Sequence, residues 1–233
     1  MNGKLYLIPV TLGSPDYNYV IPAGVLKIIR SLRIFIVEDI RSARRYLRLT
    51  EPSFPIDDCE FMLLNKHTPA ADIEAMFSYI REGKDTGLMS EAGIPGVADP
   101  GSDLVRIAHE NSYRVVPLSG PSSIFLALMS SGLNGQNFAF NGYLPVDRPG
   151  RIREIKKLES LARKGQSQIF METPYRNMKM LQDLAENLGD NSLLCVAANI
   201  SHPDELIMTL PAYEWRRRGL PDINKKPAIF IIG

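Results

Sequence analysis

Short apolar runs alternate with helix-spaced segments along this chain, and that alternation limits the folds open to it. Leu5–Ile8, Arg33–Val37, Glu60–Leu64, Thr86–Met89 and Arg114–Leu118 each have the length of a buried strand. Between them lie Ile21–Ser31, Arg41–Leu49, Pro69–Arg81 and a segment from Asp103, with apolar residues at helical spacing. Pro22 suits a first helical turn and Gly83 a helix C-cap, while Pro9 to Tyr19 reads as a long loop. A chain that returns from each strand through a helix builds a mainly parallel sheet covered on both faces.

The second half continues the pattern less regularly. Helix-spaced segments at Ile124–Met129, Arg148–Lys164 and Asn177–Leu188 separate strand candidates at Phe138–Tyr143, Gln168–Glu172, Leu193–Ala197 and Ala228–Ile232. The expectation is two α/β domains, 1–118 and 119–233, with mainly parallel and mixed sheets. The neck has no Ser/Gly linker, so a cleft between packed domains is expected as the ligand site.

One loop stands out within this frame. Ser90–Gly101 holds three glycines and two prolines in twelve residues, too many for a regular element. It follows the strand-like Thr86–Met89 and precedes a helix, which places it at the carboxyl end of a strand, where open α/β sheets bind ligands. Composition narrows the function classes. With 27 basic and 26 acidic residues the net charge is +1, which excludes a strongly basic polyanion binder but leaves room for a local basic patch. Cys59 and Cys195 have no metal-ligand spacing, so no metal and a reduced, cytoplasmic setting are expected. No secretory h-region is expected at the N-terminus, and no apolar run is long enough for a membrane span.

Five motifs follow in order: Pro9-x-x-x-Gly13, Val37-Glu-Asp-x-Arg41, the Ser90–Gly101 loop, Val116-Pro-Leu-x-Gly-Pro-Ser122 and Glu172-x-Pro-x-Arg176. Together they resemble the tetrapyrrole methylase family of S-adenosylmethionine-dependent methyltransferases, over nearly the whole chain. Within it the likeness is to the small-subunit ribosomal RNA methyltransferase I branch, which methylates a cytidine ribose 2′-hydroxyl. The resemblance implies a homodimer with S-adenosylmethionine in the cleft between domains, held mostly by backbone groups. It implies cofactor contacts at Pro9, Glu91, Ala92, Gly93, Ile94, Val97 and Ser122, and in the second domain at Met171, Ala198, Asn199, Ile200, Pro227 and Ala228. Asp99, between Ala98 and Pro100, is read as shaping the loop by bonding nearby amides.

The acceptor side is less defined. Glu38, Asp39, His67, Glu91 and Glu172 are the ionisable residues near the motifs, and none is assigned as a general base. Arg41, Arg44, Arg45 and Arg48 fall on one helix face and are candidates for phosphate contact with small-subunit (16S) ribosomal RNA. A second basic cluster spans Arg148–Lys157, and the third, Arg216–Arg218, reads as a solvated face. Three departures bear on substrate. Gly13-Ser14-Pro15 replaces Gly-Asn, with Pro22 in an arginine's place. Ala197–Pro203 replaces an Arg-Glu-x-Thr-Lys string, and no extension is expected after the last strand. These leave two alternatives open: a methylase of a tetrapyrrole or other small molecule, or a cofactor-binding paralogue with weak or no catalysis.

Overall fold

The computed structural model describes residues 2–65 and 67–233. The chain folds as two compact units, Met1–Ser122 and Ser123–Gly233.

In the first unit β1 (Lys4–Ile8) leads through α1 (Tyr17–Val20) and α2 (Ala23–Ser31) to β2 (Ile34–Val37). The chain then passes through α3 (Ile40–Thr50) to β3 (Glu60–Leu63), and through α4 (Ala70–Ala75) and α5 (Ser78–Arg81) to β4 (Thr86–Met89). Finally α6 (Gly101–Glu110) leads to β5 (Arg114–Pro117). All five strands are parallel, in the order β3-β2-β4-β1-β5. Helices on both faces explain why every residue of β2 and β4 is buried. Neighbours in a strand serve opposite cores: Phe35 packs with Ile29 and Leu47, Ile36 with Phe77 and Leu104. Full burial of each such side chain is worth about 1.5–3 kcal/mol.

Two sequence expectations change here. The loop Pro9 to Tyr19 contains the start of α1, where the Asp16 carboxylate accepts the Tyr19 amide at 3.3 Å. Pro69–Arg81 is two short helices. The amides of Met76 and Phe77 reach back three residues to Ile73 and Glu74, both at 3.2 Å, and this tightening breaks the α-helical run. It seats Phe77 on the Tyr113 ring, with centroids 5.3 Å apart.

The second unit runs α7 (Ser123–Ser131), β6 (Phe138–Tyr143), α8 (Arg148–Ala162), β7 (Ser167–Glu172), α9 (Asn177–Asn187) and β8 (Leu193–Ala198). It closes with β9 (Leu206–Pro211), α10 (Ala212–Arg218) and β10 (Ala228–Ile232). Its sheet is mixed, in the order β6-β7-β10-β8-β9, with only the β6–β7 pair parallel. β10 sits at the centre and is wholly buried. The sequence pattern does not announce β9 or α10. β9 is an edge strand of partly exposed residues, and α10 looks like a charge run although its Trp215 is buried and donates Nε1–H to the Leu194 carbonyl at 3.0 Å. Among the described residues no helix is long and apolar enough to cross a membrane.

Candidate functional site

Five parallel strands collect the loops that follow them on one edge of the first sheet. The loop after β4 is held there by backbone contacts. Val10 donates its amide to the Gly93 carbonyl at 2.8 Å, fastening the β4 loop to the β1 loop. Gly93 has φ +73°, and a Cβ on it would lie 3.3 Å from Leu12 Cδ2 and 3.4 Å from the Pro121 carbonyl oxygen. That conformation and that proximity account for glycine at this position. Gly120, after β5, approaches Pro9 so closely that a Cβ would fall 2.1 Å from the proline Cβ. The loops after β1, β4 and β5 therefore pack as one wall.

Asp99 shapes the β4 loop. Its carboxylate accepts the Gly96 amide at 2.9 Å on each oxygen and the Gly101 amide at 2.7 Å. Burial raises its pKa above the ordinary carboxylate value even though these amides favour the charged form. Nearby, the buried Tyr46 hydroxyl donates to the Pro9 carbonyl at 3.0 Å, and burial pushes this phenol up.

The seven cofactor candidates of the first unit all lie on these loops. Pro9 and Gly93 are buried, Ile94 and Ser122 half-buried, and Glu91, Ala92 and Val97 exposed. The six of the second unit gather at one end of β7, β8 and β10. Ala228 pairs with Glu172 on one side and Ala198 on the other, Ile229 lies opposite Met171, and the Asn199 amide donates to the Pro227 carbonyl at 2.9 Å. Ala198, Ile200 and Ala228 are buried, Pro227 exposed. Asn199 has φ +50°, and its side-chain amide donates to Asp204 at 2.9 Å.

The ionisable residues near the motifs take different parts. Asp39 is the N-cap of α3, accepting the Ser42 amide at 2.7 Å, and that bond lowers its pKa. Glu172 is buried against Arg176, whose Nε and Nη2 donate at 2.9 and 2.6 Å. His67 is exposed, its backbone amide bonded to Asn65 Oδ1 at 2.8 Å. Glu38 differs: burial first, then the charges of Asp99 and Glu91, lift its pKa to about 7.

The four arginines of α3 are all exposed but have different neighbours. Arg44 lies over the Phe61 ring at 5.2 Å, and Arg48 donates to the Pro52 carbonyl at 3.2 Å. Arg41 is exposed, whereas Arg45 lines a cavity of about 330 Å³. The β1 loop, α3 and the end of β4 with Ser90 and Glu91 form its walls. Sequence reasoning missed its α3 wall, Ser42, Ala43, Tyr46 and Leu49; the signal was their spacing beside the arginine stripe. The other basic clusters are largely committed within the chain. Arg148 and Arg151 both donate to Asp183 at 2.8 Å, Lys156 and Lys157 pair with Glu159 and Glu154, Arg217 and Arg218 pair with Glu214, and Arg216 with Asp190. Among the described residues no group of His, Cys, Asp or Glu is arranged to hold a metal ion.

Comparison with known proteins agrees with this arrangement. Residues 4–215 match the family model for tetrapyrrole (corrin/porphyrin) methylases. Ribosomal RNA small subunit methyltransferase I of Escherichia coli O157:H7 is 30% identical over 99% of this chain and 77% of its own. The protein of that name from Bacillus subtilis (strain 168) is 28% identical over 82% of this chain and 62% of its own. Among solved structures, the methyltransferase CobJ superposes with a TM-score of 0.62 at 16% identity, covering 99% of this chain and 94% of its own. Cobalt precorrin-4 methyltransferase, CbiF, gives 0.61 at 16% identity over the same shares. At such identity these structures speak for the fold.

Proposed function

Because the chain belongs to the tetrapyrrole methylase family, we propose that it is an S-adenosylmethionine-dependent methyltransferase acting on a ribose 2′-hydroxyl of small-subunit ribosomal RNA. The relatives named small subunit methyltransferase I, matched across nearly the whole chain, support that acceptor. The observation that carries the reading is the β4 loop, with Gly93 at positive φ between Leu12 and Pro121 on the carboxyl edge of a parallel sheet.

The residues present fit the cofactor. Glycine at 93 and 120 brings loop backbones together where side chains would collide, so the wall is built of closely packed backbone. Bound S-adenosylmethionine would supply a methyl group already activated on a sulfonium sulfur. The protein's part is to align the acceptor oxygen with that carbon and to keep water away. The proposed cofactor contacts are Pro9, Glu91–Ile94, Val97 and Ser122 in the first unit, and Met171, Ala198–Ile200, Pro227 and Ala228 in the second.

A homodimer in the cytoplasm completes this reading. Phe125 and Met129 on α7 are 55% and 79% exposed, apolar surface of the kind a second copy covers. A cofactor binder with little turnover is the second reading. It draws on the turn after β8, where Asn199 is tied to Asp204 and Lys226 pairs with the same carboxylate at 2.9 Å, in place of the Arg-Glu-x-Thr-Lys string.

Incubation with tritiated S-adenosylmethionine and small ribosomal subunits from a strain lacking this protein separates these readings. Label mapped to a cytidine ribose is expected. Cofactor binding without label in RNA would favour the second reading, and label in a uroporphyrinoid instead would overturn the acceptor.

A further inference from the structure

The cavity beside Arg45 shares a wall with the cofactor loop. Ser90 and Glu91 line it, and two residues further on Gly93 packs against the loop after β5. One loop therefore borders both the cavity and the edge at which the methyl donor is placed. At about 330 Å³ the cavity lies near the lower end of the range for small-molecule sites. Its lining is two-sided in character. The buried Val10, Ala43 and Tyr46 give it an apolar floor and the exposed Leu49 an apolar rim, and the Tyr46 ring is fixed by the hydroxyl bond to Pro9. Ser14 and Ser90 add hydroxyls.

The charges select among occupants. Among the described residues Arg45 is the one cation in the lining and Glu91 the one anion. Arg45 is exposed and makes no ion pair among the described residues, whereas Arg44 and Arg48 are directed to Phe61 and Pro52. A porphyrinoid bearing many carboxylates would meet a single guanidinium and a glutamate. A nucleotide presents one phosphate, a flat base for the apolar floor and ribose hydroxyls for the serines. We propose that this cavity is the acceptor subsite, receiving the base and ribose of one nucleotide drawn out of the RNA, with Arg45 on its phosphate. Extruding that nucleotide costs stacking, which contacts in such a pocket offset. The inference rests on the RNA methyltransferase reading.

Three variants test it: Arg45→Ala, Leu49→Trp, which would fill the cavity from its rim, and Arg44→Ala. Each is assayed for S-adenosylhomocysteine affinity by calorimetry and for methyl transfer to small ribosomal subunits. Arg45→Ala should raise KM for the subunit about tenfold with little change in kcat. Leu49→Trp should lower kcat/KM more than about a hundredfold, and Arg44→Ala should leave KM within about threefold of the parent. All three should bind S-adenosylhomocysteine like the parent. Parental kcat/KM in both Arg45→Ala and Leu49→Trp would overturn the proposal, and so would loss of S-adenosylhomocysteine binding in a folded Leu49→Trp. Should Leu49→Trp not fold, a parental KM in Arg45→Ala overturns it alone. Failure of the parent protein to label RNA at all would instead overturn the reading beneath it.

Discussion

The first sheet sends every strand in one direction and the second does not, and this divides their work. In the first unit parallel strands put the loops after β1, β2, β4 and β5 on a single edge, with positive φ at Gly93, Gly96 and Ala98 and a cavity alongside. In the second unit only one of the strand pairs is parallel, so strand ends of both polarities share each edge. Its buried charges hold helices in place. Arg148 and Arg151 converge on Asp183, and Glu159 accepts from the Gly189 amide and from Ser192 and Arg163. Uncommitted charge gathers in the first unit, and satisfied charge in the second.

Breaking a satisfied pair should give the largest change in stability. Asp183→Ala leaves the buried Arg151 guanidinium without its carboxylate and should cost about 3–5 kcal/mol in urea unfolding. A loss below about 1 kcal/mol would mean that this network does not carry the unit. The same pair sets an acid limit. Burial opposes the Asp183 charge, but bonds from Arg148 and Arg151 outweigh it and hold the pKa below the ordinary value of 3.8. Its stabilisation is therefore present above pH 3.8 and is lost as pH falls through the lower folded-state pKa.

Glu38 gives the smaller and opposite effect. Its pKa rises from 4.5 to about 7, so the folded state binds the proton more tightly than the unfolded chain does. Stability from this residue is full below pH 4.5 and falls as pH climbs through about 7. Glu38→Gln should therefore raise Tm at pH 8 relative to the parent and leave it nearly unchanged at pH 4. Equal shifts at both values would show that neither burial nor the charges of Asp99 and Glu91 raise its pKa.

Much of this was legible in the residues. Gly93, Pro95, Gly96, Pro100 and Gly101 announce a shaped loop because few other residues tolerate such backbone, and the apolar runs announce the parallel strands. Sheet order was not legible: β4 enters between β1 and β2 through packing that no local pattern encodes. The edge strand β9 lacked a clean alternation of buried and exposed residues, and three arginines obscured the buried Trp215 in α10. The α3 stripe suggested four equivalent arginines. Phe61 and the Pro52 carbonyl distinguish them, and neither contact is visible in the spacing. The cavity wall at Ser42, Tyr46 and Leu49 depends on how α3 lies against the β1 loop, which is a tertiary fact.

The central claim is that the β4 loop is shaped for the methyl donor, and calorimetric titration of parent and Gly93→Val with S-adenosylhomocysteine tests it most directly. At φ +73° a β-branched residue is strained by about 1–2 kcal/mol and its side chain enters the gap between Leu12 and Pro121. The account predicts micromolar binding by the parent, about −8 kcal/mol, and affinity lowered at least about tenfold in a variant that stays folded. Equal affinity in the two proteins, or no binding by the parent, would contradict it.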